Sequence, residues 1–429
     1  MSRSESQTGP WDVVIIGGGP AGASAATVLA RHGRRVLVLE KEKFPRYHVG
    51  ESLLPFTFYP LERLGLIPRL RASAFVKKYS VQFVSPSGRA SQPFYFFTRY
   101  DRETVAQTWQ VWRADFDQML LDNAREAGAE VIEGAEVREL IQEDGRIAGV
   151  RGVGPDGRSG EWRAAMTLDC SGKGAFAATR LGWRLRDPQL NKVAVWTYYR
   201  GALRDEGIDA GATTVAMIPH KGWFWYIPLQ DDLVSVGVVA DGRYLTRDGL
   251  RDPKAIFERE IPMNPWVAEH LAPGRQEGPH YLTSEYSFHS RHCAREGLLL
   301  AGDAFSFLDP VFSSGLMLAL KSGVMAGDAI HEAMAGGDLR PERFTDYART
   351  IREGLENMRK LVHAFYHENF SFREVIRKHP DLAGDITDCL SGDVNKDFSR
   401  LWAAIREFAP VPDELPVGLP ESADATVSP

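Results

Sequence analysis

A glycine-rich turn framed by two short apolar strands limits what this chain can fold into more than any other stretch. Within residues 12–40, DVVIIGGGPAGASAATVLARHGRRVLVLE, Val13 to Ile16 is a β-branched run suited to a buried parallel strand. Gly17, Gly19 and Gly22 follow at G-x-G-x-x-G spacing. Pro20 to His32 reads as a helix, opening on Pro20 and Ala21, with Ala25, Ala26 and Leu29 on one face and Gly33 as its stop. Val36 to Leu39 reads as a second buried strand, closed by Glu40 and followed by Lys41. The first glycine permits the tight turn, the second lets backbone approach a pyrophosphate, and the third lets helix and strand lie close. The helix start turns free N–H groups toward the phosphates. Glu40 stands where an acid accepts from ribose hydroxyls. This arrangement predicts a dinucleotide-binding unit at the head of the chain.

The totals narrow the class further. The 429 residues allow one large or two intertwined domains. A hydrophobic fraction of 44% and a net charge of −6 describe a soluble globular protein with nothing basic enough for nucleic acid. Cys170, Cys293 and Cys389 are widely spaced and form no C-x-x-C, which fits a reducing, cytoplasmic setting and neither a disulfide framework nor a zinc site. His289 and His292 are spaced like ligands, but no third partner is evident, so no metal is expected. No run of eighteen apolar residues suggests a membrane span.

Read in order, the chain predicts an α/β protein: a Rossmann-type binding domain, an inserted, mostly antiparallel β-sheet domain, and a helical C-terminal segment. Leu53 to Leu64 looks helical, and Tyr95 to Tyr100 looks like a strand. Arg113 to Ala127 is an amphipathic helix. Glu130 to Ile132, Val137 to Gln142 and Ile147 to Val153 alternate like a small antiparallel meander, and Ala165 to Asp169 is another buried strand. From Trp183 to about Tyr286 the chain is rich in Trp and Tyr. Gly297 to Ala301 returns to a buried parallel type, and Ser314 to about Met334 is a long helix. The expected division is a discontinuous binding domain (1–80, 101–182, 287–340), a β-rich domain (81–100, 183–286), helices at 341–410 and a flexible tail at 411–429.

A second set of signals lies far from the first turn. Gly302-Asp303 follows a buried strand, where an acid can accept from a ribityl hydroxyl. With Gly17 to Gly22, Glu40, Arg113 and Asp169 in this order, the chain resembles the FAD-dependent monooxygenase superfamily that includes para-hydroxybenzoate hydroxylase, geranylgeranyl reductases and flavin-dependent halogenases. The resemblance covers roughly the first 335 residues. It implies FAD on the first turn, Glu40 on the adenosine ribose, Arg113 near the pyrophosphate or ribityl chain, and Asp303 on the ribityl chain.

Three further stretches resemble the halogenase branch. Phe44-Pro45-Arg46 with Gly50-Glu51-Ser52-Leu53-Leu54-Pro55 is similar to the segment placed beside the flavin, which implicates Ser52. Trp223-Phe224-Trp225-Tyr226-Ile227-Pro228 matches the family's WxWxIP signature, and Asp309 to Gly315, with Pro310 in its turn, resembles the flavin-proximal helix start. There the resemblance implies chloride or bromide held by backbone at Ser313, Ser314 and Gly315, a helix N-terminus that favours an anion. It further implies that reduced FAD, oxygen and halide yield hypohalous acid, which a lysine hands to an electron-rich carbon. Phe75-Val76-Lys77-Lys78 resembles the lysine segment in a register that selects Lys78, with Lys77 as the alternative. Trp223 and Trp225 lie on one side of a strand. They are read either as core packing or as the wall that keeps organic substrate from the flavin. No second glycine fingerprint suits NAD(P)H, so the resemblance implies a separate flavin reductase. The chain is short beside tryptophan halogenases and lacks a recognisable counterpart of their catalytic glutamate. A phenol- or pyrrole-type aromatic substrate, free or tethered to a carrier protein, is therefore expected. A reductase of the geranylgeranyl type and a plain hydroxylase are the alternatives.

Overall fold

The computed structural model describes residues 10–421. Trp11–Ile16, Val36–Glu40, Ser159–Asp169 and Leu298–Leu300 form the centre of a parallel sheet. Glu130–Glu133 continues it beyond Val36–Glu40, and Ala294–Arg295 adds an antiparallel edge beyond Leu298–Leu300. The central strands are apolar where they pair parallel, and Ser159–Asp169 becomes buried only over its second half. Val13, Val14, Ile15, Leu37, Val38 and Leu168 are all fully buried. Pro20–Arg31 packs on this sheet and against the long helix Ser314–Ala335.

The second sheet is larger than its strand signals suggest. Arg184–Arg200 and Arg275–Ser290 pair along almost their whole length, with register shifts between Arg186 and Asn191 and between Trp196 and Tyr198. Leu233–Asp241, Trp223–Pro228 and Thr213–Met217 continue it antiparallel, and Ser80–Val84 joins by a parallel pairing to Thr213–Met217. Ser306–Phe307 closes the other edge. The α/β architecture with a mostly antiparallel second sheet is the one expected. Beyond it lie the helices Thr345–Tyr366, Phe372–Lys378, Ala383–Ser391 and Ser399–Ile405.

Several local expectations fail for identifiable reasons. Glu130–Glu133 is not part of a meander: it pairs parallel with Val36–Glu40, and the antiparallel set is Glu136–Glu143, Arg146–Val153 and the first half of Ser159–Asp169. Alternation in a short edge strand does not distinguish the two pairings. Only Phe94–Tyr95 is a strand, and Phe96–Thr98 turns as a 3-10 helix that sends Phe96 into the core. Helix does not begin at Leu53; Pro55–Thr57 is a 3-10 turn before the short helix Phe58–Arg63. Residues 411–421 are not a free tail. Gly418 and Glu421 donate backbone hydrogen bonds to Arg291 and Ala294, Leu419 accepts one from Cys293, and the carbonyl of Asp413 accepts from Arg359. Residues 422–429 of the expected tail lie outside the described residues.

Candidate active site

A cleft of about 640 Å³ runs from the first glycine turn to the paired tryptophans. At one end it is made of backbone. Gly17 adopts φ +98°, and a Cβ on Gly22 would sit 1.9 Å from the Gly17 carbonyl oxygen, so the turn and helix meet only without side chains. Gly17, Gly19, Pro20 and Ala21 line the cleft; Gly22 serves the packing beneath. Glu40 is buried and lines the cleft, but both its oxygens also brace the loop, accepting from the Gly18 N–H at 2.7 Å and the Glu42 N–H at 2.8 Å. Lys41 lines the wall beside it.

Arg113 lines the middle of the cleft and is pinned on all sides. It donates twice to Asp117, each at 2.8 Å, and to the carbonyls of Val49 and Gly50. Its visible work is to hold the 46–51 loop against the helix. Arg46, quoted in the sequence only as part of a motif, is the guanidinium placed over the turn: its Nη2 stands 3.4 Å from where a Cβ on Gly19 would be. Arg46 Nη1 lies 3.2 Å from Asp117 without making a hydrogen bond, and is buried and unsatisfied. The Nη2 group over the turn stands where a pyrophosphate on these glycines would lie, so the residues present fit a dinucleotide there.

Of the remaining cofactor candidates, Ser52, Asp303 and Pro310 line the cleft. Gly302 lies just behind and donates its N–H to Ser322 Oγ at 2.9 Å. Asp169 does not reach it. Its carboxylate is buried, accepts from the Ser171 and Ala177 N–H groups at 2.9 and 2.7 Å, and is pushed up in pKa by desolvation. It braces the 171–176 loop, whose own residues form the wall. Of the halide candidates, Ser313 and Gly315 line the cleft and Ser314 is buried behind them. Ser313 is left-handed, with φ 54°, and opens the helix Ser314–Ala335, whose first amides have no intrahelical acceptor.

At the far end, Trp223 and Trp225 both face the cleft, with ring centroids 6.2 Å apart. A Cβ on Gly237 would stand 2.2 Å from the Trp225 ring, so the cross-strand glycine makes the space the indole fills. Each indole N–H is tethered differently. Trp225 donates to Ser235 Oγ at 3.0 Å, and Ser235 reaches Glu51. Trp223 donates to the Tyr366 hydroxyl at 2.9 Å. Glu51 is fully buried on the cleft wall, takes a 2.8 Å hydrogen bond from Tyr198, and is raised in pKa by desolvation. Glu51, Tyr198 and Tyr366 were not assigned from sequence. Glu51 lay inside a quoted motif; the two tyrosines carry no local signal.

The adjacent lysines separate cleanly. Lys77 is exposed, while Lys78 is buried beneath Phe96, its Nζ 5.5 Å from the ring centroid. Lys78 Nζ donates to Ser52 Oγ at 2.9 Å and to the Leu53 carbonyl at 3.1 Å. Ser52 is in turn hydrogen-bonded to Thr213 at 2.7 Å, and both line the cleft. Lys78 is therefore one hydrogen bond behind the wall. Desolvation alone lowers its pKa to about 7. Among the described residues no group of three or more His, Cys, Asp or Glu could hold a metal ion, and no helix is long and apolar enough to cross a membrane.

A parallel sheet with its glycine turn, an arginine over that turn, and a second sheet closing the cleft with aromatic rings are the frame of a dinucleotide-binding enzyme. Comparison with known proteins narrows the class. The tryptophan halogenase family model matches residues 12–114 and 95–374. The chain is 31% identical to the 1H-pyrrole-2-carbonyl-(peptidyl-carrier protein) chlorinase of Pseudomonas fluorescens, over 90% of this chain and 89% of that one. It is 33% identical to the tryptophan 2-halogenase of Chondromyces crocatus, over 83% of this chain and 68% of that one. Its fold superimposes on the flavin-dependent brominase Bmp2 with a TM-score of 0.83, at 27% identity and covering 93% and 97% of the two chains. The chain belongs to the flavin-dependent halogenase family. It is an FAD-dependent oxidoreductase that uses oxygen and a halide co-substrate to halogenate aromatic compounds.

Proposed function

We propose that this enzyme halogenates a phenol- or pyrrole-type ring tethered to a carrier protein, with Lys78 delivering the halogen. The observation that carries the reading is the position of Lys78: buried, desolvated and one hydrogen bond from a cleft wall that Trp223 and Trp225 also line. Reduced FAD, when bound, supplies the electrons that convert oxygen and halide into hypohalous acid. Gly17 to Ala21, Arg46, Glu40 and Asp303 would hold that cofactor along the cleft. Ser313 to Gly315 present the helix start to the halide. Trp223 and Trp225 fill the space an organic ring would need to approach the cofactor, so halide rather than substrate meets it. Lys78 polarises the Ser52 hydroxyl on the cleft wall, and that hydroxyl donates to the oxygen of the hypohalous acid. This leaves the halogen electrophilic while the ring carbon attacks, the O–halogen bond breaks, and the ring loses its proton as water forms.

One comparison supports a tethered substrate. The chain matches the carrier-linked pyrrole chlorinase over nearly the full length of both, whereas it spans 68% of the tryptophan 2-halogenase. Reduced FAD would come from a separate reductase, as in the two-component systems typical of this family. The test supplies purified enzyme with a flavin reductase, oxygen and chloride or bromide, and compares pyrrolyl and phenolic acyl groups on a carrier protein with the same rings free. Halogen incorporation on the carrier-bound rings is expected. Equal or better turnover of the free rings would overturn the tethering, and oxygen insertion without halide would overturn the assigned chemistry.

A further inference from the structure

The two walls of the far end belong to distant parts of the chain. Trp223 comes from the middle of the antiparallel sheet, and the turn before Ser314 follows Ser306–Phe307 at one edge of that sheet. One phenol joins them. Tyr366, the last residue of Thr345–Tyr366, accepts the Trp223 indole N–H at 2.9 Å and donates its own proton to Asp309 Oδ2 at 2.9 Å. Asp309 uses its other oxygen to cap the 3-10 turn Pro310–Phe312, accepting from the Val311 N–H at 3.1 Å. That turn ends at left-handed Ser313.

The direction of this relay is dictated by chemistry. An indole can only donate and a carboxylate can only accept, so the group between them must do both. The Tyr366 ring is also clamped: Lys192 Nζ lies 4.3 Å over its face, and the neighbouring Phe365 packs on Phe312 of the same turn.

We propose that Tyr366 is a positioning residue for the halide, setting the distance between the Trp223 wall and the Ser313–Gly315 turn. The proposal rests on the reading that this turn holds the halide. A halide makes no directional bonds of its own. Its affinity depends on where the surrounding N–H dipoles are held, and the C-terminal helix thereby controls a site to which it contributes no contact.

The test is Tyr366→Phe, which removes one oxygen and keeps the ring, examined as holoenzyme. The KM for bromide is expected to rise about tenfold, the scale of one lost hydrogen bond to a charged group, while kcat at saturating bromide and the affinity for FAD change by less than about twofold. Wild-type crystals soaked in bromide are expected to show anomalous density at the Ser313–Gly315 turn, weakened in the variant. Asp309→Asn should give a similar rise, and the double variant no more than either alone. Bromide bound at the turn in wild type, but with unchanged KM and density in Tyr366→Phe, would overturn the role of Tyr366 and leave the halide site standing. No bromide at the turn in wild type would overturn the site itself, and the proposal with it. A general loss of FAD affinity or kcat in Tyr366→Phe would assign the relay to structure alone.

Discussion

The two ends of the cleft are built from different materials. At the dinucleotide end the working surface is main chain: Gly17, Gly19, Pro20 and Ala21 sit within five residues of one another, and a carbonyl-to-Cβ distance decides which residue is tolerated. At the tryptophan end the working surface is side chain. Lys78 is held by Ser52 and Trp223 by Tyr366, both far away in sequence, and Trp225 by Ser235 of the next strand, which itself reaches distant Glu51. A backbone site is specified locally and fails by steric exclusion. A side-chain site is specified by the fold and fails bond by bond.

The largest expected effect tests the backbone end. Gly22→Val would force a Cβ into the Gly17 carbonyl. It should abolish FAD binding, measured as flavin retained after desalting; retention at wild-type stoichiometry would break the contrast. Next, Lys78→Met should lower halogenation by about 10²–10⁴-fold, the range of a positioned proton donor, while FAD binding is kept. In wild type the same lysine predicts a pH profile. The ammonium form is present below about pH 7 and lost above it, so the Lys78-dependent rate should fall as pH rises through that value.

The lysine also leaves a stability signature of opposite sense. Its pKa is lower folded than unfolded, so between about pH 7 and the unfolded value the unfolded chain binds more protons, and stability rises with pH. Lys78→Met should therefore stabilise the protein most at and below pH 7, with the gain shrinking as pH climbs. Denaturant titrations at several pH values would detect a flat difference, which would sink the buried-lysine account. A smaller effect is expected at Arg46. Arg46→Met should weaken FAD about tenfold, and more at low than at high ionic strength, consistent with one charge-assisted contact to phosphate. The smallest is Glu51→Gln, which keeps an acceptor for Tyr198 and should change halogenation by only about twofold if the carboxyl serves to seat Trp225 through Ser235.

How much of this could be read beforehand follows the same division. The strand, turn and helix at residues 11–31 were legible because periodicity and glycine spacing are local properties. Lys78 over Lys77 was legible only through resemblance, since two adjacent lysines carry no intrinsic direction. The strand pairing does, sending one outward and one inward. Asp169 misled because a carboxylate after a buried strand has the same sequence signature whether it faces a ligand or caps its own loop. Arg46 was visible as a letter in a motif, but its place over the glycine turn and its ion pair with buried Asp117 exist only in the fold.

By itself the sequence determined the α/β class, the dinucleotide turn and the identity of the tryptophan pair, because those depend on residues within one or two elements. Tertiary structure alone decided which lysine is desolvated, that residues 411–421 dock instead of fraying, and that Tyr366 links Trp223 to Asp309. Burial and long-range hydrogen bonds are properties of neighbours in space. No spacing along the chain encodes them until the two sheets and the C-terminal helices have closed around the cleft.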